Sequence, residues 1–443
     1  MGVKAKKVLA WIALIVLIII SSGLALRAIF NFINGQKLER YLADMKARGQ
    51  LVELSSLLPP CPDEENAALL WKAVESLLIL ESSGKSLLAP VSEISEWKEF
   101  SSDEKNKLET IVEKNRKAID LLIEASTRQC FQYGNLVKPA IECDIPNYSL
   151  MIQANRVLII DALLKAEKGR TDEAIEEILH GLQFARLCAQ SPMLINFMSS
   201  MANTRMLVHN LNRLVHGREL PAETAAKIMK LLDPEWWRKA MVNAFRGEYT
   251  GFALETYNYV LKGETISGVS SGWLDKVFYW IIRPVLKSEV IWVSRHYQEM
   301  IDSAREPFYR NEKARQWQGQ EIKVPAQYRL AGLLLPNLYT IILKEATLEA
   351  YLEAARTGMA CKVYQRQNGK YPDNISDLVP DFLPAEPLDP FTGQPLLYKA
   401  KGDGFIVYSL GSNKKDDGGR MSTMTQAVME KDDDWSWQEN WKW

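Results

Sequence analysis

Cysteine, histidine and net charge are all scarce in this 443-residue chain. Five cysteines without a CxxC pair are too few for a disulfide scaffold and exclude a thiolate zinc cage. The 54 basic and 55 acidic side chains leave a formal net charge of -1, so we expect no nucleic-acid partner. Four histidines are present, and HExxH, Walker-type and GxSxG sequences are absent, so no standard catalytic motif is available.

One disulfide is expected if the bulk of the chain lies outside the cytoplasm. Cys130 and Cys143 flank a loop that contains glycine and proline, and a bridge between them would close it. The sequence therefore favours this pair. Cys188 and Cys361 lie in helical patterns, where they are expected to be buried as small apolar side chains.

One long apolar run is present, near the N-terminus. Val8 to Leu26 carries no charge, and as a helix it would extend about 28 Å, close to the hydrocarbon thickness of a bilayer. Lys4, Lys6 and Lys7 precede it, which favours a cytoplasmic N-terminus and a single crossing. A cleaved signal peptide is the alternative, but the run is long and its cleavage sequence poor, so we predict an uncleaved signal anchor.

Two later apolar stretches are shorter and interrupted. Arg283 and Pro284 interrupt Val277 to Leu286, and Pro336 breaks Leu333 to Leu343. Both are predicted to be buried helices, so the topology is single-pass, with most of the chain in the periplasm or otherwise outside the cytoplasm.

The long middle of the chain predicts an all-α body. The helix that begins after Asn66 is amphipathic, and its apolar face would consist of Leu69, Leu70, Ala73, Leu77 and Leu80. A second helix is predicted from Asp103 to Thr127. Ser149 to Val215 predicts stacked antiparallel helices, with a left-handed stop at Gly169 and a new helix from Thr171.

Two glutamates in the body are candidates for a metal ligand or a catalytic carboxylate. Glu177 and His180 have the E-x-x-H spacing of di-iron bundles, but the second copy that such a site needs is absent. His180 is therefore interpreted as a helix-surface histidine. Glu248 is either an inward carboxylate or a structural partner of an arginine. No catalytic residue is predicted.

The C-terminal region predicts a small α+β module. A helix should end at Asn368–Gly369, and Ile375 to Leu378 should form a short helical turn. A β-hairpin is predicted from Leu396 through the turn at Gly402–Gly404 to Ser409.

This region resembles the C-terminal half of the major pseudopilin of type II secretion systems. The resemblance covers about the last hundred residues and rests on an ordered set of positions: Tyr364, Gly369, Tyr371, Pro372, Leu378, Val379, Pro380, Asp389, Pro390, Phe391, Gly393, Pro395, Tyr398, Tyr408, Ser409, Leu410 and Gly411. The full layout is also similar to a group of membrane-anchored bacterial envelope proteins, a resemblance that implies no activity.

The pseudopilin resemblance implies a calcium site. In that family, the loop after S-L-G holds Ca²⁺ through backbone carbonyls and acidic side chains. The matching positions are the carbonyl of Leu410 and the carboxylates of Asp416 and Asp417, with the family's later acidic pair corresponding to the run Asp432, Asp433 and Asp434. Oxygen ligands on a glycine-rich loop suit calcium.

The chain departs from that family in its first half. A helical body separates the membrane segment from the tail, and Val8 to Leu26 contains no glutamate, so filament assembly is not expected. The expected fold is mainly α: a transmembrane segment (residues 1–30), a juxtamembrane helix and linker (31–63), an all-α domain (64–345) and a pseudopilin-like module with a short antiparallel sheet (346–443).

The favoured function is that of a non-enzymatic interaction protein of the inner membrane, which contacts the bilayer through Val8 to Leu26 and a protein partner in the envelope. Its C-terminal module is expected to be stabilised by Ca²⁺. The alternatives are a metal-dependent hydrolase in the helical body and a divergent pseudopilin-type assembly subunit.

Overall fold

The chain is mainly α-helical in a computed structural model, with one small antiparallel sheet near its C-terminal end. The structure describes residues 3–58, 60–80, 88, 97, 100–134, 144–264, 273–316, 322–335, 337–419 and 435–439. This architecture confirms the mainly α fold expected from the sequence, including a long N-terminal helix and a short C-terminal sheet.

The first helix, α1, spans Val3–Ala47 and is the one described helix long and apolar enough to cross a membrane. Its apolar run is exposed all round, with fractional exposures of 45% at Leu14 and 64% at Ile19. Further along the same helix, Leu38 and Met45 are buried in the main hydrophobic core. One continuous helix therefore joins the apolar run to the body.

Four helices follow α1 among the described residues of the first part of the body. They are α2 (Leu54–Leu57), α3 (Ala67–Leu77), α4 (Ser102–Lys114) and α5 (Arg116–Ser126), with a 3₁₀ turn at Asp63–Glu65. Ser101 caps α4 with a reciprocal capping box to Glu104, and Asn66 caps α3 by accepting from the Ala68 N–H. These polar caps determine where α3 and α4 begin.

Three long helices form the centre of the body: α6 (Tyr148–Glu167), α7 (Thr171–Gln190) and α8 (Leu194–Val215). Gly169 has a φ of 79° in the turn between α6 and α7, as predicted for a left-handed stop. Gly181 on α7 allows close packing, because a Cβ there would lie 2.7 Å from a methyl carbon of Leu207 on α8. The three helices pack as an antiparallel set through short connections.

The second half of the body continues with helices of very different lengths. They are α9 (Ala222–Leu231), α10 (Pro234–Gly247), a π-helical segment (Glu248–Leu254), α11 (Glu255–Lys262), α12 (Trp273–Ala304), α13 (Glu312–Gln316), α14 (Ala331–Leu334) and α15 (Leu338–Asn368). Short 3₁₀ turns lie at Phe308–Arg310 and Ile375–Leu378. The last of these confirms the helical turn predicted there.

The sheet has the order β1-β2-β3, with β1 at Leu397–Lys401, β2 at Gly404–Ser409 and β3 at Trp435–Glu439. The β1–β2 hairpin confirms the prediction, whereas β3 was not predicted. All residues of the central strand β2 are buried, and Val407 pairs with Trp437. Trp437 packs so closely on α15 that a Cβ at Gly358 would overlap its indole ring.

Helices run across two of the predicted domain limits. Helix α1 continues through residues 30 and 31, and α15 continues through residues 345 and 346. Buried apolar residues from α1, the body and the sheet belong to one contiguous cluster, which includes Leu38, Phe197 and Trp437. The sheet is thus packed directly on a helix that begins within the body.

The predicted Cys130–Cys143 disulfide is wrong in its pairing, because Cys130 bonds to Cys61, with a Cα–Cα distance of 5.8 Å. The physical reason is that the chain segment at Cys130 is hydrogen-bonded through its backbone to the segment at the start of α3. The Cys130 N–H donates to the carbonyl of Glu65 at 3.2 Å, and the Ala67 N–H donates to the carbonyl of Cys130 at 2.9 Å. Cys143 lies outside the described residues.

The predicted buried face of α3 is wrong in part: Leu70, Leu77 and Leu80 are partly buried against the core, but a different face of the helix is fully buried. The helix buries Ala67, Ala68, Trp71 and Val74, whereas Leu69 is 43% exposed. The fully buried indole ring of Trp71, which packs at 5.7 Å from the Phe184 ring centroid, sets the orientation of the helix.

The helix predicted from Asp103 to Thr127 is divided in two at Asn115. The side chain of Asn115 accepts from the Ile79 N–H at 2.8 Å and donates to the Ile79 carbonyl at 3.0 Å. Asn115 is buried, and its side-chain amide satisfies the backbone hydrogen-bonding groups of Ile79 in the segment that follows α3. A tertiary contact therefore breaks a stretch that is helical by local pattern.

The two interrupted apolar stretches are not uniformly buried: the first is helical throughout, and in the second Leu335 and Asn337 lie outside the helices α14 and α15. Val277 and Ile281, near the start of α12, are 44% and 54% exposed, although Leu286 is buried. In the other stretch, Leu333 at the end of α14 is 79% exposed. The prediction of two buried helices is therefore wrong at these positions.

Candidate functional site

The loop that follows β2, residues 409–419, contains three of the six predicted calcium ligands. Leu410, Asp416 and Asp417 all lie within it, and both aspartates are exposed. Asp432, Asp433 and Asp434 lie outside the described residues, directly before β3 in the chain. Because β3 pairs with β2, with Trp435 opposite Ser409, β3 begins at the end of the sheet where the loop leaves β2.

Hydrogen bonds within the loop orient both aspartates. Oδ1 of Asp416 accepts from the Tyr408 hydroxyl at 2.9 Å and from the Gly418 N–H at 2.9 Å. Oδ2 of Asp417 accepts from the Asn413 side-chain amide at 3.2 Å. One oxygen of each carboxylate is thus engaged by the loop, and a second oxygen of each is left for another partner.

The loop backbone depends on glycines with positive φ. Gly418 and Gly419 have φ values of 78° and 80°, a conformation that other residues rarely adopt. At Gly419 a Cβ would lie 2.5 Å from a methyl carbon of Ile406, so the loop closes tightly over β2. The sequence signal for this geometry was the Gly-Gly pair after Asp417.

The described residues alone do not complete a calcium site. Calcium takes six to eight oxygen ligands, and the loop offers two carboxylates and backbone carbonyls. Within the part of the chain that the structure describes, no group of three His, Cys, Asp or Glu side chains could hold a metal ion. The chemistry of the loop oxygens suits calcium.

Asp389 positions the start of this loop, a role that the sequence did not reveal. Its buried carboxylate accepts from the Phe391 N–H at 2.8 Å through Oδ1 and from the Leu410 N–H at 2.9 Å through Oδ2. Asp389 therefore connects the turn before β1 to the residue whose carbonyl is a predicted calcium ligand.

A buried ion pair joins the sheet to the body. Nζ of Lys362 on α15 lies 3.0 Å from Oε2 of Glu439 on β3, and both side chains are buried. Glu439 also accepts from the Gly217 N–H, in the turn after α8. Burial lowers the pKa of Lys362, and the neighbouring Glu439 opposes that effect. This one carboxylate of β3 thus contacts both α15 and the turn after α8.

The E-x-x-H pair of α7 does not form a metal site in the described structure. Oε2 of Glu177 lies 2.8 Å from Nζ of Lys165, and burial raises the pKa of Glu177. Nδ1 of His180 lies 2.7 Å from the Ser126 hydroxyl, and burial lowers the pKa of this histidine. The interpretation of His180 as a surface histidine is wrong, because its ring is half-buried between α5 and α7.

Glu248 begins the π-helical segment and points inward, as one of the two sequence interpretations proposed. Burial raises its pKa to about 7, although the Leu194 N–H at the start of α8 donates to it and opposes the shift. An acceptor at a helix N-terminus satisfies an otherwise unpaired N–H. Glu248 therefore has a structural partner, which is a backbone amide and not an arginine.

Two buried glutamates lie on α15, and the sequence analysis predicted neither of them. Glu349 accepts from the guanidinium of Arg238 on α10. Glu345, one turn earlier, is buried, and burial together with the nearby Glu349 raises its pKa well above its ordinary value. Glu345 and Glu349 thus both lie on the part of α15 that faces Arg238 of α10.

Comparisons with protein-family models, with curated proteins and with solved structures found no match to this chain.

Proposed function

We propose that this chain is a single-pass membrane protein that displays a helical body and a C-terminal sheet outside the cytoplasm. The observation that carries the proposal is α1, whose exposed apolar run continues as one helix into the buried core at Leu38 and Met45. A helix that is apolar all round suits a lipid environment. A bilayer around this run would leave the body attached directly to its surface.

The side of the membrane follows from two independent features. Lys4, Lys6 and Lys7 before the apolar run favour retention of the N-terminus in the cytoplasm. The Cys61–Cys130 disulfide after the run suits an oxidising compartment. Both features support a body in the bacterial periplasm or an equivalent space.

The redox state of Cys61 in cells tests this placement. We expect Cys61 and Cys130 to resist a thiol-alkylating reagent until a reductant is added, and a Cys61→Ser variant to expose one more reactive thiol. Cys188→Ser is the matched control, because Cys188 is a buried free thiol whose removal leaves the bridge intact. Alkylation of both residues without reductant would contradict the proposal.

For the C-terminal module, we propose a non-enzymatic role in binding a protein partner of the envelope, with Ca²⁺ stabilising the loop. The support is the geometry of residues 409–419, where the exposed Asp416 and Asp417 are held by hydrogen bonds on a tightly packed sheet. The resemblance to a pseudopilin head supports the same role. A rigid, exposed acidic loop is suited to recognition.

Crosslinking in cells tests the partner proposal. A photoreactive side chain at Lys414, which is exposed in the loop, should give a discrete adduct with another protein. The same side chain at Lys239, which is exposed on α10, is the control and should give none. Equal adducts at both positions, or none at Lys414, would contradict a recognition role for the loop.

A further inference from the structure

Helices α1 and α12 lie side by side and run in the same direction. Contacts between them begin with Arg27 against Trp280 and end with Tyr41 against Arg295, so residue numbers rise on both helices from the first contact to the last; Asn31 with Lys287 and Asn34 with Pro284 lie between. The Nε of Arg27 donates to the carbonyl of Trp280 at 3.0 Å, and the side-chain amide of Asn34 donates to the carbonyl of Pro284 at 2.8 Å. The two helices are therefore parallel, and their register places Arg27 at the level of Trp280.

This register places the start of α12 beside the apolar run. Helix α12 begins at Trp273, two turns before Trp280. Two turns before Arg27, on α1, is Ile20, which lies within the run from Val8 to Leu26. If the run spans a bilayer, the first turns of α12 lie at the depth of its last turns.

The exposure of α12 changes along its length in agreement with this depth. Four of its early apolar side chains are exposed: Val277 44%, Phe278 50%, Trp280 46% and Ile281 54%. From Pro284 onward its apolar side chains pack into the body, and Leu286 and Val290 are 1% and 2% exposed. We call the four exposed residues the α12 tip patch. Phe30 and Phe32 of α1 are also exposed apolar residues.

Basic side chains lie at the level where the patch ends. The guanidinium of Arg27 stacks 3.4 Å from the ring centroid of Trp280. Nζ of Lys287 donates to the Asn31 carbonyl at 3.1 Å, and the charges of Arg27 and Arg283 both act on this lysine. Tryptophan and basic residues at the end of an apolar surface are typical of the boundary between acyl chains and lipid headgroups.

We propose that the α12 tip patch inserts into the bilayer beside α1, with Arg27, Arg283 and Lys287 at the level of the headgroup phosphates. This inference rests on the proposed membrane anchoring and adds a second point of attachment. The partner is the phospholipid bilayer that α1 crosses. Two parallel helices in contact with the membrane fix the tilt of the body relative to the bilayer, which attachment through α1 alone would not do.

Spin-label depth measurements on the full chain in phospholipid vesicles test the proposal. Labels are placed by Phe278→Cys, Ile18→Cys and Leu333→Cys in a Cys143→Ser background. Leu333 is 79% exposed, and the Tyr297 hydroxyl donates to the carbonyl of its neighbour Leu334 at 2.6 Å. This control therefore lies about 25 Å further along α12 than Trp280. Accessibility to oxygen and to a water-soluble nickel complex is then compared.

We expect the labels at positions 18 and 278 to favour oxygen over nickel severalfold more than the label at 333. A label at 278 as nickel-accessible as that at 333, with 18 still in lipid, would overturn the insertion and leave the anchoring intact. Spin–spin broadening at 278 without oxygen access would overturn it in favour of contact between two copies of this chain. Nickel access at position 18 would overturn both the anchoring and this inference.

Discussion

Nζ of Lys362 lies 3.0 Å from Oε2 of Glu439, and this buried pair links the last long helix to the last strand. Glu439 belongs to β3, which sequence reasoning missed, and it also accepts from the Gly217 N–H. The contact fixes the sheet against both α15 and the turn after α8. Its loss is therefore expected to affect how the C-terminal module is held.

Substitution of Lys362 by methionine should destabilise the protein, because it leaves the Glu439 carboxylate buried without its cation. The expected loss in free energy of unfolding is about 3 kcal/mol. The double variant Lys362→Met/Glu439→Gln should regain most of that loss, since it removes the uncompensated charge. Denaturant unfolding of the two single variants and the double variant measures the coupling. A loss in the double variant equal to the sum of the two single losses would contradict a stabilising interaction between Lys362 and Glu439.

Substitution of Gly358 by alanine should loosen β3 from α15, because the added Cβ would overlap the Trp437 indole ring. The expected net cost is about 1–2 kcal/mol, after allowance for the better helix propensity of alanine. Gly332→Ala is the matched control, since no heavy atom lies within 4 Å of a Cβ there. Thermal unfolding and limited proteolysis near the C-terminus measure the effect, and equal stability of the two variants would be inconsistent with this packing.

Glu248 should make stability depend on pH between about 4.5 and 7. Burial raises its pKa to about 7 in the folded protein, so the unfolded chain releases its proton at a lower pH than the folded chain. Rising pH through this window therefore favours unfolding, by about 1–3 kcal/mol. Glu248→Gln should remove this contribution and be the more stable protein above pH 7.

The control for this pH effect is Glu223→Gln, which changes an exposed glutamate on α9. Unfolding curves at several pH values should show the same slope for this variant as for the unchanged protein. If Glu248→Gln also leaves the slope unchanged, then Glu248 does not titrate in the expected window.

Calcium should stabilise the C-terminal loop if the acidic run before β3 completes the set of ligands. Addition of Ca²⁺ on the order of 0.1–1 mM should raise the melting temperature of the full chain. Asp416→Ala and Asp417→Ala should each reduce the rise, and Asp381→Ala, at an exposed position before β1, should not. An equal calcium response in all three variants, or no response in the unchanged protein, would remove the calcium proposal.

Local sequence signals predicted the elements that depend on local physics. The apolar run of α1, the turn at Gly169 and the β1–β2 hairpin around Gly402 all follow from residue type and spacing. The C-terminal end of α15 at Gly369, with a φ of 75°, is of the same kind. Each of these features depends on residues that are neighbours along the chain.

The features that sequence reasoning missed depend on distant contacts. Cys130 meets Cys61 because its segment pairs with the start of α3, and Asn115 ends a helix because it binds the backbone of Ile79. Strand β3 has little local pattern, and its place is set by pairing with β2 and by packing of Trp437 on α15. Such pairings are not encoded in residue spacing.

The candidate site was predictable only in part. The resemblance to a pseudopilin tail placed Leu410, Asp416 and Asp417 in one loop, and they do lie in one loop after β2. The positioning role of Asp389 was not predictable, because its carboxylate acts on Leu410, far along the chain. Its short-range bond to the Phe391 N–H gave no indication of that second partner.

The membrane topology can be measured directly by labelling with a maleimide that does not cross membranes. In a Cys143→Ser background, Leu333→Cys offers an exposed thiol on the body, and Ala5→Cys offers one before the apolar run. The account predicts that, in cells with an opened outer membrane, position 333 reacts at once and position 5 reacts only after lysis. Reaction at position 5 with protection at 333, or reaction at both positions before lysis, would contradict it.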